Sequence, residues 1–173
     1  MNHGATYAGL SPAALLHRRR LESVAAVVST ATSAPGDLLI DFGCSDGYVL
    51  NNLLKAQCIP DSWSVAGYDH SGELIARARD RGLERAEFGE IDLNDEHTQV
   101  ARPADVATCL EVLEHVGDWR AALKVLRQSA TPGGRIVISM PNEVGLVGLG
   151  KLLVRPLVRR RPYRNFFSSR SRA

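Results

Sequence analysis

Leu38-Leu39-Ile40-Asp41-Phe42-Gly43-Cys44-Ser45-Asp46-Gly47 carries the chain from an apolar run into an acidic turn with two glycines four residues apart. The apolar run reads as a buried strand, and Tyr48 to Leu54 reads as a helix. A strand that delivers a carboxylate, a tight turn and then a helix is the layout of a nucleoside-binding corner in an α/β sheet. Gly43 and Gly47 let a ligand approach the backbone closely.

The same alternation extends in both directions. Upstream, Ser11-Pro12 is a helix start, with Ser as N-cap and Pro at the first helical position, and the helix is predicted to run to about Ser29. Downstream, the helix after the turn is predicted to end near Cys58-Ile59-Pro60, and Trp63 to Tyr68 is a second strand. Ser71 caps a helix from Gly72 to Arg81 that Gly82 closes. Ala86 to Ile91 is a third strand, and Asp105 to Leu110 a fourth. Asp118 caps a helix from Trp119 to Ala130 that stops at Thr131-Pro132-Gly133-Gly134, and Arg135 to Met140 is a fifth strand. Short apolar strands alternating with helices indicate an α/β fold: a doubly wound, mostly parallel sheet of order 3-2-1-4-5 with helices on both faces.

At 173 residues, with 45% hydrophobic and 23% charged residues, the chain is sized for one soluble domain with its own core. Cys44, Cys58 and Cys109 form no C-x-x-C pair, which argues against a disulfide framework or structural zinc and for a reducing, cytoplasmic setting. Met1 to Leu10 lacks the apolar core of a signal peptide. The net charge of +2 divides into −6 over residues 1–143 and +8 over residues 144–173. The basic character therefore belongs to the tail.

Ligands of such sheets sit outside the carboxyl ends of the strands. Here the strand ends carry Asp41, Asp69, Asp92 and Glu111. One such Asp is more often a turn former than a ligand; four at equivalent places are harder to dismiss. Asp69 lies 22 residues after Gly47, where a dinucleotide fold places its ribose-binding acid. Asp92 with Leu93 suits an adenine: a carboxylate for the exocyclic amine and an apolar wall for the ring. In their bland reading, Asp69 opens the turn Asp69-His70-Ser71-Gly72 and Asp92 forms an Asx turn. NAD is the natural competitor, but it requires G-x-G-x-x-G, and here Cys44 and Ser45 follow Gly43. Asp41 and Asp46 would also put negative charge where phosphates sit. S-adenosylmethionine has no phosphate and a positive sulfonium, so electrostatics favour it.

The chain resembles the class I S-adenosylmethionine-dependent methyltransferases, and within them the branch of the ubiquinone-biosynthesis O-methyltransferases. The resemblance rests on Leu39 to Gly47, the acid Asp69, Asp92-Leu93, Asp105 to Val116, and Pro132-Gly133-Gly134-Arg135. It covers roughly residues 35–142. It implies that Asp41 and Gly43 hold the methionine end, Asp69 the ribose, and Asp92 and Leu93 the adenine, with His70 against the adenine face. Cys44, Gly47, Leu110 and Glu111 complete the expected cofactor set. It also points to a divalent cation such as Mg²⁺ on Glu111, Glu114 and His115. Those positions share a face if a helical turn follows the fourth strand. His115 is the candidate general base, since imidazole titrates near neutral pH. No His follows His115, a departure from related RNA-methylating enzymes that weakens a nucleic-acid reading. The expected reaction is methyl transfer to a small-molecule acceptor, most readily at oxygen. The alternative is a cofactor-binding module of low catalytic power that works through its tail.

In that tail, Lys151, Arg155 and Arg159 recur every four residues among Leu149, Leu152, Leu153 and Leu157. Residues 144–161 are therefore expected to form a basic amphipathic helix, either a lid or a peripheral contact with an anionic membrane. Residues 162–173 are polar and basic and are expected to be disordered. The family's usual sixth and seventh strands are not visible in the sequence. A domain over 1–143 is expected, with an N-terminal helix at 11–30 and a core at 35–142.

Overall fold

The computed structural model describes residues 12–140. The chain divides into two units, Met1–Met140 and Pro141–Ala173, and the described residues all belong to the first. The Ser11 cap, the helix expected over 144–161 and the tail over 162–173 lie outside the described residues.

The elements run α1 (Pro12–Thr32), β1 (Leu38–Phe42), α2 (Tyr48–Lys55), β2 (Ser64–Asp69), α3 (Gly72–Arg79), β3 (Ala86–Glu90), β4 (Ala104–Leu110), α4 (Trp119–Gln128) and β5 (Ala130–Ser139). The strands form one sheet in the order β3-β2-β1-β4-β5, and every neighbouring pair is parallel. This is the 3-2-1-4-5 order expected from the alternation of apolar runs and helices.

All five residues of β1 are buried, because the strand is central and covered on both faces. Its side chains alternate between two cores. Leu39 joins Val28, Ala31, Leu50, Leu53, Val65, Ile75 and Val106 in a layer built with α1, α2 and α3. Leu38, Ile40 and Phe42 join Ala107, Cys109, Ala122, Val125 and Leu126 in a layer built with α4. Ser71 caps α3 through Leu74 N–H, and Asp118 caps α4 through Arg120 and Ala121 N–H, as their sequence positions indicate.

The fifth strand departs from expectation. Thr131-Pro132-Gly133-Gly134 does not separate a helix from a strand; β5 already begins at Ala130. Ala130 pairs with Ala104 and Arg135 with Val106, so Thr131 to Gly134 bulge opposite Asp105. Pro and Gly are tolerated in a bulge, because the ladder bonds they cannot make are already interrupted there. Asp105 fills the gap. Its Oδ2 accepts the N–H groups of Asp37 (2.9 Å) and Leu38 (3.3 Å), and its Oδ1 accepts the Thr131 hydroxyl (3.2 Å). Elsewhere the differences are of length: α1 continues to Thr32, while α2 and α3 stop short at Lys55 and Arg79.

Asp105 thus ties the start of β1 to the β5 bulge, and the Asp37 N–H bond first, with the others, holds its carboxyl below the usual carboxylate range. A depressed carboxyl stabilises the fold above its unfolded value, and that contribution fades as pH falls through the folded value. Asp105→Ala is expected to lose roughly 1–3 kcal/mol at pH 7. In urea denaturation its deficit should shrink as the pH is taken below 4.

Candidate functional site

β1, β2 and β4 run parallel, so their carboxyl ends share one rim. Asp41 lies one residue before the end of β1, on the face that Leu39 occupies, and is 3% exposed. Thr108 of β4, its register partner, donates its hydroxyl to Asp41 Oδ1 at 2.6 Å. No positive side chain is paired with Asp41 among the described residues. Burial pushes its carboxyl up to about 7; the Thr108 bond opposes this, and the nearby Asp69 adds to it.

Asp69 closes β2 and is also buried. Its Oδ2 accepts Ser45 N–H (2.9 Å) and its Oδ1 accepts Ser71 N–H (3.0 Å). The acid therefore stitches the turn after β1 to the start of α3. His70 Nδ1 lies 3.2 Å from Asp69 Oδ1, and its ring is largely exposed. Gly43 and Cys44 both donate backbone N–H to Tyr68 O, at 2.7 and 3.0 Å. Gly43 has φ +79°, and a Cβ there would overlap Val112 Cγ2. Gly47, at φ +73°, opens α2. The two glycines are thus required by backbone conformation, and Gly43 also by the closeness of the loop after β4.

Asp46 plays a different part from the one its sequence position indicates. Its Oδ2 is 2.7 Å from Arg81 Nη2, and Arg81 Nε also bonds the Asp46 carbonyl. Arg81 therefore neutralises Asp46, and the unbalanced negative charge is that of Asp41 and Asp69. An elementary charge of opposite sign about 4 Å away is worth about 4 kcal/mol at an effective dielectric near 20. Raising a carboxyl from 3.8 to about 7 corresponds to a cost of the same order. One cationic group beside Asp41 would offset it.

The other predicted residues are spread along the rim. Asp92 is exposed and caps its own turn: Oδ1 accepts both the N–H and the side-chain amide of Asn94, each at 2.8 Å. Leu93 behind it is buried. Leu110 ends β4, and Glu111 follows at φ +59°, a strained setting for a residue with a Cβ. Glu111 N–H bonds Ser139 O (3.0 Å), its Oε1 accepts the Ser139 hydroxyl (3.1 Å), and its Oε2 pairs with Arg20 Nη1 of α1 (2.7 Å).

The expected metal set of Glu111, Glu114 and His115 is not assembled. Glu111 is occupied by Arg20, His115 is mostly exposed, and its Nε2 lies 3.9 Å from Glu114 Oε1. No cluster of three or more His, Cys, Asp or Glu able to hold a metal ion occurs among the described residues. These residues do not fit a divalent cation as they stand. Burial first, then Asp41 and Asp69, raises Cys44 far above its ordinary value, and burial, Asp41 and Glu114 push Cys109 up to about 12.

Sequence reasoning missed Thr108, Arg81 and Arg20 as parts of this arrangement. Thr108 had a signal, since strand alternation puts it on the Asp41 face. Arg81 and Arg20 had none, because their partners are brought to them by the fold.

A buried carboxylate beside a glycine turn, with a second acid one strand over, can be set against known proteins. A model of the methyltransferase domain matches residues 15–171. The chain belongs to the methyltransferase-domain family. Within it, the chain is similar to the ubiquinone biosynthesis O-methyltransferase of Cronobacter sakazakii, 31% identical over 135 residues, which cover 74% of this chain and 52% of that protein. An uncharacterised transposon-encoded protein of Streptomyces fradiae is 37% identical over 110 residues, 62% of this chain and 31% of that one. The chain thus spans from 31% to 52% of the length of these relatives. Among solved structures, the magnesium protoporphyrin IX methyltransferase of Synechocystis with bound S-adenosylhomocysteine superposes with a TM-score of 0.59 at 26% identity, covering 79% of this chain and 61% of that one. The fold is that of the class I, Rossmann-like, S-adenosylmethionine-dependent methyltransferases.

The raised carboxyl makes a prediction about this family member. A carboxyl whose folded value exceeds its unfolded value costs nothing below the unfolded value, and the cost grows as pH rises towards about 7. Asp41→Asn keeps the Thr108 bond and removes the charge. Its melting temperature should exceed that of the wild type at pH 8, and the difference should vanish near pH 4 in calorimetric scans.

Proposed function

We propose that this chain binds S-adenosylmethionine at the β1–β2 rim and transfers its methyl group to a small-molecule acceptor, at oxygen. The buried Asp41 carboxylate, held by Thr108 and lacking any cationic partner among the described residues, carries the reading. It lies in a family whose donor has both an ammonium and a sulfonium. Oxygen as the acceptor atom is supported by the similarity to ubiquinone biosynthesis O-methyltransferases.

In this reading Asp41 receives the ammonium of the methionine end, and the Gly43–Gly47 turn leaves room for it. Asp69 keeps its carboxylate aligned through Ser45 and Ser71 N–H while its remaining lone pairs take the ribose hydroxyls. Leu93 supplies an apolar wall for the adenine, Asp92 accepts from its amine, and exposed His70 covers the ring. Cys44, Leu110 and Glu111 line the same rim. The sulfonium supplies an electrophilic methyl group, so the protein's main task is alignment of an acceptor oxygen with it. His115 is the residue available to take the acceptor's proton. No divalent cation enters the scheme, because Arg20 already holds Glu111. The membrane contact through 144–161 concerns residues outside those described. Among the described residues, no helix is long and apolar enough to cross a membrane.

Calorimetric titration with S-adenosylmethionine should show one site. A cation binds the ionised form of Asp41, so affinity should fall as pH drops below about 7, approaching tenfold per unit. Asp41→Asn should lower the affinity at least tenfold and abolish this pH dependence. Equal affinity in the variant and the wild type would sink the assignment of the carboxylate.

Gly43→Ala tests the turn independently. Its Cβ would meet Val112, so cofactor affinity should fall, and Gly43→Ala/Val112→Ala should restore part of it by removing the Cγ atoms.

A further inference from the structure

The segment after β4 is stapled on three sides. Glu111 is bound to Ser139 and Arg20, Val112 lies against Gly43, and the N–H groups of Gly117 and Asp118 both donate to Asn94 Oδ1, at 2.7 and 3.0 Å. Asn94 in turn is held by Asp92. The segment is therefore pinned between the glycine turn, the Asp92 turn and the end of β5. Inside it, His115 N–H bonds Val112 O at 2.8 Å, forming a tight turn that contains Glu114.

Glu114 is the exception in this well-satisfied segment. Its Oε2 is buried and has no hydrogen-bond partner among the described residues. Its Oε1 lies 3.9 Å from His115 Nε2, beyond hydrogen-bond length, and the side chain as a whole is 22% exposed. Buried carboxylate oxygens are almost always satisfied, because desolvating one without a donor is costly. Nearby Val112, Leu113 and Val116 offer no side-chain donor. Val112, two residues before it, lies against Gly43, and Gly117, three residues after it, is bonded to Asn94, so Glu114 sits between the glycine turn and the Asp92 turn.

We propose that Glu114 is a specificity-determining residue, whose Oε2 accepts a hydrogen bond from the hydroxyl or amine of the methyl acceptor. The proposal rests on the methyltransferase reading. It explains why the oxygen has no partner among the described residues: its donor arrives with the acceptor. Such a site rejects an acceptor lacking the donor, since the carboxylate would then be covered and unpaired.

The test uses the full chain loaded with S-adenosylhomocysteine, with catechol and its dimethyl ether as probes in ligand-observed NMR titrations. Wild type should bind catechol about tenfold or more tightly than the ether. Glu114→Leu should bring that ratio close to one and leave S-adenosylhomocysteine affinity within about twofold. Its melting temperature in the absence of acceptor should rise by roughly 2–4 °C, because a buried oxygen without a donor has been removed. Glu114→Gln, with a neutral acceptor oxygen, should reduce the ratio several-fold. A lower melting temperature or failure to fold in Glu114→Leu would show that the protein itself satisfies Oε2, and would overturn the proposal. So would equal binding of the two probes, no binding of catechol, or a preference that disappears in EDTA, which would put a cation on Glu114. Loss of S-adenosylhomocysteine binding by the wild type would instead defeat the methyltransferase reading itself.

Discussion

A carboxylate buried near the end of a central strand is the constraint around which this site is arranged. Asp41 is nearly inaccessible, is bonded by Thr108 Oγ1, and shares its corner with Asp69. Burial alone would favour the protonated form. Desolvation therefore lifts this carboxyl well above the usual carboxylate range, at a cost comparable to what one well-placed cation returns. A site of this kind trades folding stability for affinity: it is destabilising when empty and selects for positive charge.

The remaining charges are sorted so that they do not interfere. Arg81 cancels Asp46, and Arg20 cancels Glu111. What remains at the rim is negative on the β1–β2 side. This sorting also separates the two functional readings of the acids. Those that are satisfied within the protein, Asp46, Glu111 and Asp105, brace the turn, the β4 exit and the β5 bulge. Asp41, with a single hydroxyl donor, and Glu114 Oε2, with none, keep unmet bonding capacity among the described residues.

The architecture was largely readable from local patterns, and the departures have a common cause. Apolar runs such as Leu38-Leu39-Ile40 and Val106-Ala107-Thr108-Cys109 can only be central parallel strands, and the caps Ser71 and Asp118 fix the helix starts. In sequence, Thr131 to Gly134 reads as a stop because Pro and Gly have the same local preference in a loop and in a bulged edge strand. Only the pairing of Ala130 with Ala104 distinguishes them, and that pairing is a long-range fact. The Glu111, Glu114 and His115 side chains are not brought together, for a similar reason. Their spacing suits a shared helical face, but Glu111 leaves β4 at positive φ, so the helical turn assumed for them does not begin there.

By itself the sequence determined the order of the strands, the glycine turn, the row of acids at the strand ends and the family they belong to. These depend on side-chain size, periodicity and backbone freedom, which are local properties. The tertiary structure decided which acids are neutralised and which are not. That outcome depends on the distance from Asp46 to Arg81, from Glu111 to Arg20, and from Asp41 to Thr108, and on how little water reaches each. Charge is written in the chain; its solvation and its partners exist only once the chain has folded.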